Sequence, residues 1–174
     1  MAKKKSKKNN DIAKYTVFAS VLLGIVAVVM MFLPAVAIKD SETSYTGLQL
    51  AFGYSKTVEG WGDSIITTAY AGFSFMNLLT YILAIVGIVF TVLGAMGKGG
   101  KFATFISAVA FIASGVFFFL QGSFCVPLEG MEGLVGLLGG NIKDYFVIGA
   151  GAIIGGITSI LAGICALAKI VLSK

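Results

Sequence analysis

The sequence predicts an all-α membrane protein: a four-transmembrane-helix antiparallel bundle with a small extracytoplasmic β-hairpin in the first outer loop and a short interfacial helix in the second. Three observations carry this. Of 174 residues, 57% are apolar and only 12% are charged, against about 25% charged in an ordinary soluble domain; mean hydropathy is +0.96. Four stretches lack charge for long enough to cross a hydrocarbon core of about 30 Å. The thirteen positive charges, all Lys, are sorted along the chain rather than scattered.

The chain reads as one four-span domain over 1–174. A basic tail at 1–14, MAKKKSKKNNDIAK, holds six of the thirteen Lys; such a run is a solvated topology signal that also meets anionic headgroups. The first span is 17–38. The same stretch also fits a signal peptide, with a basic head, an apolar run and Ala35-Val36-Ala37 as the cleavage site. An outer loop at 39–72 follows, then a second span at 73–97, a turn at 98–101, a third span at 102–121, an outer loop at 122–144 and a fourth span at 145–168. The charge-free run begins earlier than 73, but as one helix it would exceed the bilayer, so its first part joins the loop.

Orientation follows from the Lys bias. With the N-terminus inside, ten Lys and one acid, Asp11, face the cytoplasm, while three Lys and seven acids lie outside. The positive-inside rule then places both termini in the cytoplasm. Basicity carried by Lys without Arg suggests an AT-rich bacterial genome, hence a multi-pass protein of the bacterial cytoplasmic membrane. Cys125 and Cys165 fall on opposite sides of the bilayer, too far apart for a disulfide.

In the first outer loop, residues 45–54 alternate, with Leu48, Leu50, Phe52 and Tyr54 on one face. Period two predicts a half-buried strand. Residues 65–70, rich in β-branched side chains, are its candidate partner across a linker at 55–63. The single Trp61 is either a recognition anchor or a ring at headgroup level. In the second loop Met131, Leu134, Val135 and Leu138 recur at helical spacing, after Pro127 and Glu129 and before Gly139-Gly140-Asn141. That pattern predicts an amphipathic interfacial helix. Its glycines leave open a loose loop, or a re-entrant segment lining a pore.

Small residues form rows in the spans: Ala84, Gly87, Thr91 and Gly94; then Ala103, Ser107, Ala110 and Ser114; then Ala152, Gly155, Ser159, Ala162 and Ala166. Lipid supplies no hydrophobic drive between helices, so rows that let backbones approach are what hold them together. An every-fourth row, Gly151, Gly155, Ser159 and Gly163, fits either bundle packing or a homodimer seam. The polar set within the spans is Ser20, Ser74, Asn77, Thr80, Thr91, Thr104, Ser107, Ser114, Thr158 and Ser159, with Gln121 at a boundary. Asn77 and Thr80 are candidates for interhelical hydrogen bonds or for a pore lining.

Several chemistries lack their residues. There is no His, the commonest general base and metal ligand. There is no Arg to clamp phosphate or carboxylate bidentately. The Lys tail is not a folded basic face for nucleic acid. No Ser has a base at membrane depth, so intramembrane hydrolysis has no catalytic pair. Neither a metal-ligand spacing nor a cofactor motif occurs. No ionisable residue lies well inside a span, which disfavours ion-coupled transport. No catalytic, cofactor-binding or metal-binding residue is therefore assigned.

Four spans with both ends inside, a longer first outer loop with strand-like alternation and a shorter second one resemble the claudin-type tetraspan architecture. In that family the first loop carries Trp, then Gly-Leu-Trp and two cysteines, and mediates lateral and cell-to-cell assembly. Here the loop has Gly47-Leu48-Gln49 with Trp61 after it, and no cysteine, so no functional position carries over. The residues support a non-enzymatic polytopic protein acting on the lipid bilayer's other occupants, another membrane protein or a second copy of itself, through Leu48, Leu50, Phe52, Trp61 and the small-residue rows. The alternative is a passive channel or small-solute transport subunit formed by oligomerisation.

Overall fold

The structure, a computed structural model, describes residues 2–39, 44–59, 65–125 and 146–172. Side chains are described for 12–39, 44–54, 72–125 and 146–172. Four helices are long and apolar enough to cross a membrane, with spans at Ile12–Phe32, Phe75–Ala95, Gly100–Phe119 and Ala150–Leu172. At 1.5 Å per residue, 20 to 23 residues match a core of about 30 Å.

The first helix, α1, runs Ala2–Val29. A 3-10 turn at Met30–Phe32 ends it, and Leu33 is extended, with φ −95° and ψ 160°. Pro34 causes this, because its ring excludes helical backbone from the residue before it. The charge-free run in the sequence predicts a first span that continues to residue 38. Instead Pro34–Ile38 is a strand, β1, so Ala35-Val36-Ala37, which also fitted a cleavage site, is its middle.

The first loop corrects a second expectation. Only Ser44–Thr46 is a strand, β2; Gly47–Phe52 is a short helix, α2. Alternation at 45–54 gave a period of two, but Thr46-x-x-Gln49 is a capping box. The backbone N–H of Gln49 donates to Thr46 Oγ1 at 3.3 Å, and the backbone N–H of Thr46 donates to Gln49 Oε1 at 2.9 Å. Gly47, Leu50 and Ala51 are buried, the i, i+3, i+4 set of a helix packed on one side. Leu48 and Phe52 therefore leave the face they were expected to share with Leu50. Gly53 stops the helix with φ 87°, a conformation that glycine adopts without strain. The hairpin of this loop is β3, Tyr54–Glu59, paired antiparallel with β4, Ile65–Ala71. The partner strand at 65–70 stands, whereas 55–59, expected as linker, is its mate.

Helix α3 spans Phe75–Ala95, with Ser74 as N-cap accepting from the backbone N–H of Asn77. A tight turn joins it to α4, Gly100–Phe119, through Gly97, Gly99 and Gly100, all at positive φ. A 3-10 turn, Gln121–Phe124, ends α4. The fourth span starts later than expected from the sequence: Phe146–Ile148 is a strand, β5, and α5 runs Ala150–Leu172. The sequence-expected helix at 131–138 lies outside the described residues.

The four long helices form a ring in which α1 packs on α3 and α5, and α4 packs on the same two. One end is capped by a three-stranded antiparallel sheet of order β2-β1-β5, with Val36 opposite both Tyr45 and Ile148. Lys14, Lys98, Lys101 and Lys169 mark the other end. At mid-bundle the fully buried ring of Phe111 fills the space left by two glycines. A Cβ on Gly24 of α1 would meet that ring at 2.7 Å, and one on Gly87 of α3 at 2.8 Å, closer than real carbon contacts allow.

The capping box gives a local test. Thr46→Ala should cost about 1 kcal/mol of α2 stability, read as faster hydrogen exchange at the amides of Gln49 and Leu50. Exchange in α3 and α4 should be unchanged; uniform acceleration across the chain would contradict a local cap.

Candidate functional site

The bundle encloses a polar seam that ends in a buried cluster under the sheet. Every polar residue expected inside the spans is buried except Thr158, which bonds back to Ile154 O within its own helix. Serines stitch neighbouring helices by donating to backbone carbonyls. Ser20 Oγ of α1 reaches Ala162 O of α5 at 2.8 Å. Ser159 Oγ of α5 reaches Phe111 O of α4 at 2.9 Å. Two serines of α4 reach α3: Ser114 to Thr80 O at 2.7 Å and Ser107 to Gly87 O at 2.8 Å. Thr91 Oγ1 lies within hydrogen-bond reach of both Gly87 O and Ser107 Oγ, so the two hydroxyls share their two protons among these three contacts. In lipid each such bond contributes on average about 0.6 kcal/mol.

These bonds settle where several sequence candidates sit. Thr80 turns its hydroxyl back to Met76 O and offers its carbonyl to Ser114. Asn77 is wholly buried, and among the described residues neither atom of its amide has a partner. The every-fourth row is filled from within the chain. A Cβ on Gly151 would strike the backbone of Leu33 and Pro34, one on Gly155 the ring of Phe118, and one on Gly163 Ile112 and Ala108 O. Ser159 completes the row through its bond to Phe111 O.

Sequence reasoning missed the cluster at the sheet end. Tyr81 of α3 is buried, its ring edge-on to Phe118 at 5.2 Å. Gln121 Nε2 donates to its hydroxyl at 2.9 Å, and Gly47 of α2 lies so close that any side chain there would displace that hydroxyl. Gln121 Oε1 has no partner among the described residues. A glycine opening α2 was the visible trace of this contact, but nothing in the sequence says which tyrosine requires it.

Beyond the cluster, Leu50 is buried with Ala35, Val36, Tyr45, Cys125 and Ala152, so the sheet, α2 and α5 share one small core. Ser74 fixes this end further by donating to Phe124 O at 2.7 Å, while its backbone N–H bonds Ala51 O. Leu48 and Phe52 point outward, 37% and 59% exposed. Trp61 lies outside the described residues. No group of His, Cys, Asp and Glu suited to a metal occurs among them.

The outward faces of the spans are apolar, with Ile85, Val89, Val109, Ile157 and Leu161 among the exposed residues. A bundle with a polar, hydrogen-bonded interior and an apolar exterior defines a polytopic membrane protein with four spans in contact with the bilayer. Comparison of the chain with known protein families, curated proteins and solved structures finds no match, so the class stands at four-span membrane protein and no family is assigned.

Both cysteines are free. Cys125, outside the spans, donates to Gln121 O at 3.4 Å; burial pushes its thiol from 9.0 up to about 11. The thiolate is the reactive form, and its fraction grows with pH. Below pH 9 Cys125 should therefore react with maleimide at least about 100-fold more slowly than an ordinary thiol, and its rate should keep rising with pH up to about 11, beyond the point where an ordinary thiol levels off. Labelling at the rate of exposed Ser44→Cys at pH 7.5 would contradict this placement.

Proposed function

We propose that this chain is a non-enzymatic membrane protein that acts by lateral or partner interaction, with the sheet end and α2 as its contact surface. The observation that carries this reading is the closed interior. Phe111, Phe118 and Tyr81 occupy the space between the helices, and the seam hydroxyls donate to backbone carbonyls rather than facing a water-filled path. Serine hydroxyls committed to holding helices together, in a space filled by aromatic rings, leave interaction to the outer surface.

Helix α2 suits that role. Its start is fixed by the capping box, its inner face by Leu50, and its end by the bond from Ser74 to Ala51 O. Leu48 and Phe52 are presented on a rigid platform, which lowers the entropy cost of binding. The Lys distribution supports placing this end outside a bacterial cytoplasmic membrane with both termini in the cytoplasm. A claudin-like mode of assembly, through the first outer loop, is consistent with the four-span architecture.

Photo-crosslinking amino acids at positions 48 and 52, in native membranes, test the reading. Protein adducts are expected at both positions and not at lipid-facing Val89. With the probe at one of the two positions, Gln at the other (Phe52→Gln beside a probe at 48, Leu48→Gln beside a probe at 52) should lower the adduct yield about fivefold or more, the effect of losing over 1 kcal/mol at an interface. Adducts with lipid alone would contradict it. Solute-selective flux through proteoliposomes that Asn77→Leu abolishes would establish a channel instead.

A further inference from the structure

Two clefts meet at the lysine end of the bundle, and Lys169 lines both. One, of about 250 Å³, lies between the start of α4 and the end of α5, bounded by Gly94, Gly100, Lys101, Thr104 and Lys169. The other, of about 190 Å³, is lined by Lys14, Val17, Ala95 and Lys169. Three helices thus contribute a lysine each to the lining of the two clefts, with Lys169 common to both. No carboxylate lines either cleft, and no ion pair to these lysines occurs among the described residues. Asp11, one turn before Lys14 on α1, is the single acid that the sequence places near this end.

Lys169 departs from the usual behaviour of a lysine at the end of a span, which is to run its stem along the helix and carry the charge outward to water. Its Nζ is turned inward, across the bundle, to 3.5 Å from Thr104 Oγ1. Gly94 makes the room: a Cβ there would lie 3.4 Å from that nitrogen and 2.6 Å from the Thr104 hydroxyl. A half-buried ammonium with one long hydrogen bond retains two donors for an anion. At the mouth of the same cleft α4 begins at Gly100 with no side-chain cap, so its first-turn N–H groups add partial positive charge in the same direction.

We infer that this pair of clefts is a binding site for the phosphate of an anionic phospholipid headgroup, held by Lys101 and Lys169 with Lys14 at its rim. Position selects the lipid over a soluble anion. The clefts sit at the terminus of the apolar spans, where headgroup phosphates lie, and basic pockets between spans are the form such recognition takes. Lys98, in the α3–α4 turn, lines neither cleft and serves as an internal control.

Native mass spectrometry of the full chain in maltoside micelles, titrated with dioctanoyl phosphatidylglycerol, tests this. Saturable binding of one lipid per chain is expected, with dioctanoyl phosphatidylcholine binding much more weakly. Lys101→Met and Lys169→Met should each weaken binding about fivefold, and together about 30-fold, from about 1 kcal/mol per lysine. Lys169→Arg and Lys98→Met should stay within about twofold of the parent, since the first keeps the charge and the second removes one that the site does not use. Lys101 is exposed, so its substitution leaves packing intact and carries the test even where Lys169→Met unfolds the chain. Equal binding of phosphatidylcholine, or an unchanged affinity in Lys101→Met, would overturn the site. Displacement of the lipid by inorganic phosphate at equal affinity would overturn the lipid source and assign the clefts to a soluble phosphate.

Discussion

The bundle depends on the close fit of one phenylalanine. Phe111 of α4 places its ring in the gaps left by Gly24 of α1 and Gly87 of α3, and its carbonyl accepts the hydroxyl of Ser159 from α5. All four long helices therefore meet at one residue. In water, apolar burial drives such a contact; between lipid-embedded helices the surrounding acyl chains are equally apolar, and the gain comes from dispersion and hydrogen bonding at close approach. A large side chain fitted into paired glycines gains many such contacts, and it fixes the ring order of the helices along with their spacing.

The same constraint explains the polar seam. Once glycine and alanine bring the backbones together, a serine on one helix comes within reach of a carbonyl on the next. Ser20, Ser107, Ser114 and Ser159 all use this geometry. Toward the sheet the seam widens to hold Tyr81, Asn77 and Gln121. There β1 and β5 join the end of α1 to the start of α5, and α2 is pinned on α3. The extramembrane end is thus an extension of the bundle rather than a separate module, so a contact made at Leu48 and Phe52 bears on a surface rigidly joined to the spans.

Much of this was legible in the sequence because lipid imposes simple demands. Charge-free runs of span length located all four helices, and the small-residue rows identified the helix faces that are buried: Gly87, Ser107, Ala110, Ser114, Ala152, Gly155 and Ser159 all lie inside. The ends were harder. Residues 34–38 are as apolar as the span before them, and Pro34 alone marks the change from helix to strand. Pairing of β1 with β5 joins residues more than a hundred positions apart, which no local pattern encodes. In α2 a two-residue period and a capping box coincide, and the reciprocal bonds of Thr46 and Gln49 decide for the helix. Nor did anything single out Phe111 among fourteen phenylalanines, since its role comes from glycines on two other helices.

A double-mutant cycle between Gly24→Ala and Phe111→Ala, read by reversible unfolding in mixed micelles, tests the central contact most directly. With Phe111 present, the added methyl of Gly24→Ala meets the ring and should destabilise the fold by about 1 kcal/mol or more. In the Phe111→Ala background the same methyl enters the space the ring has left and should be neutral or stabilising, giving a coupling energy above about 1 kcal/mol. Additive effects of the two substitutions would contradict the account.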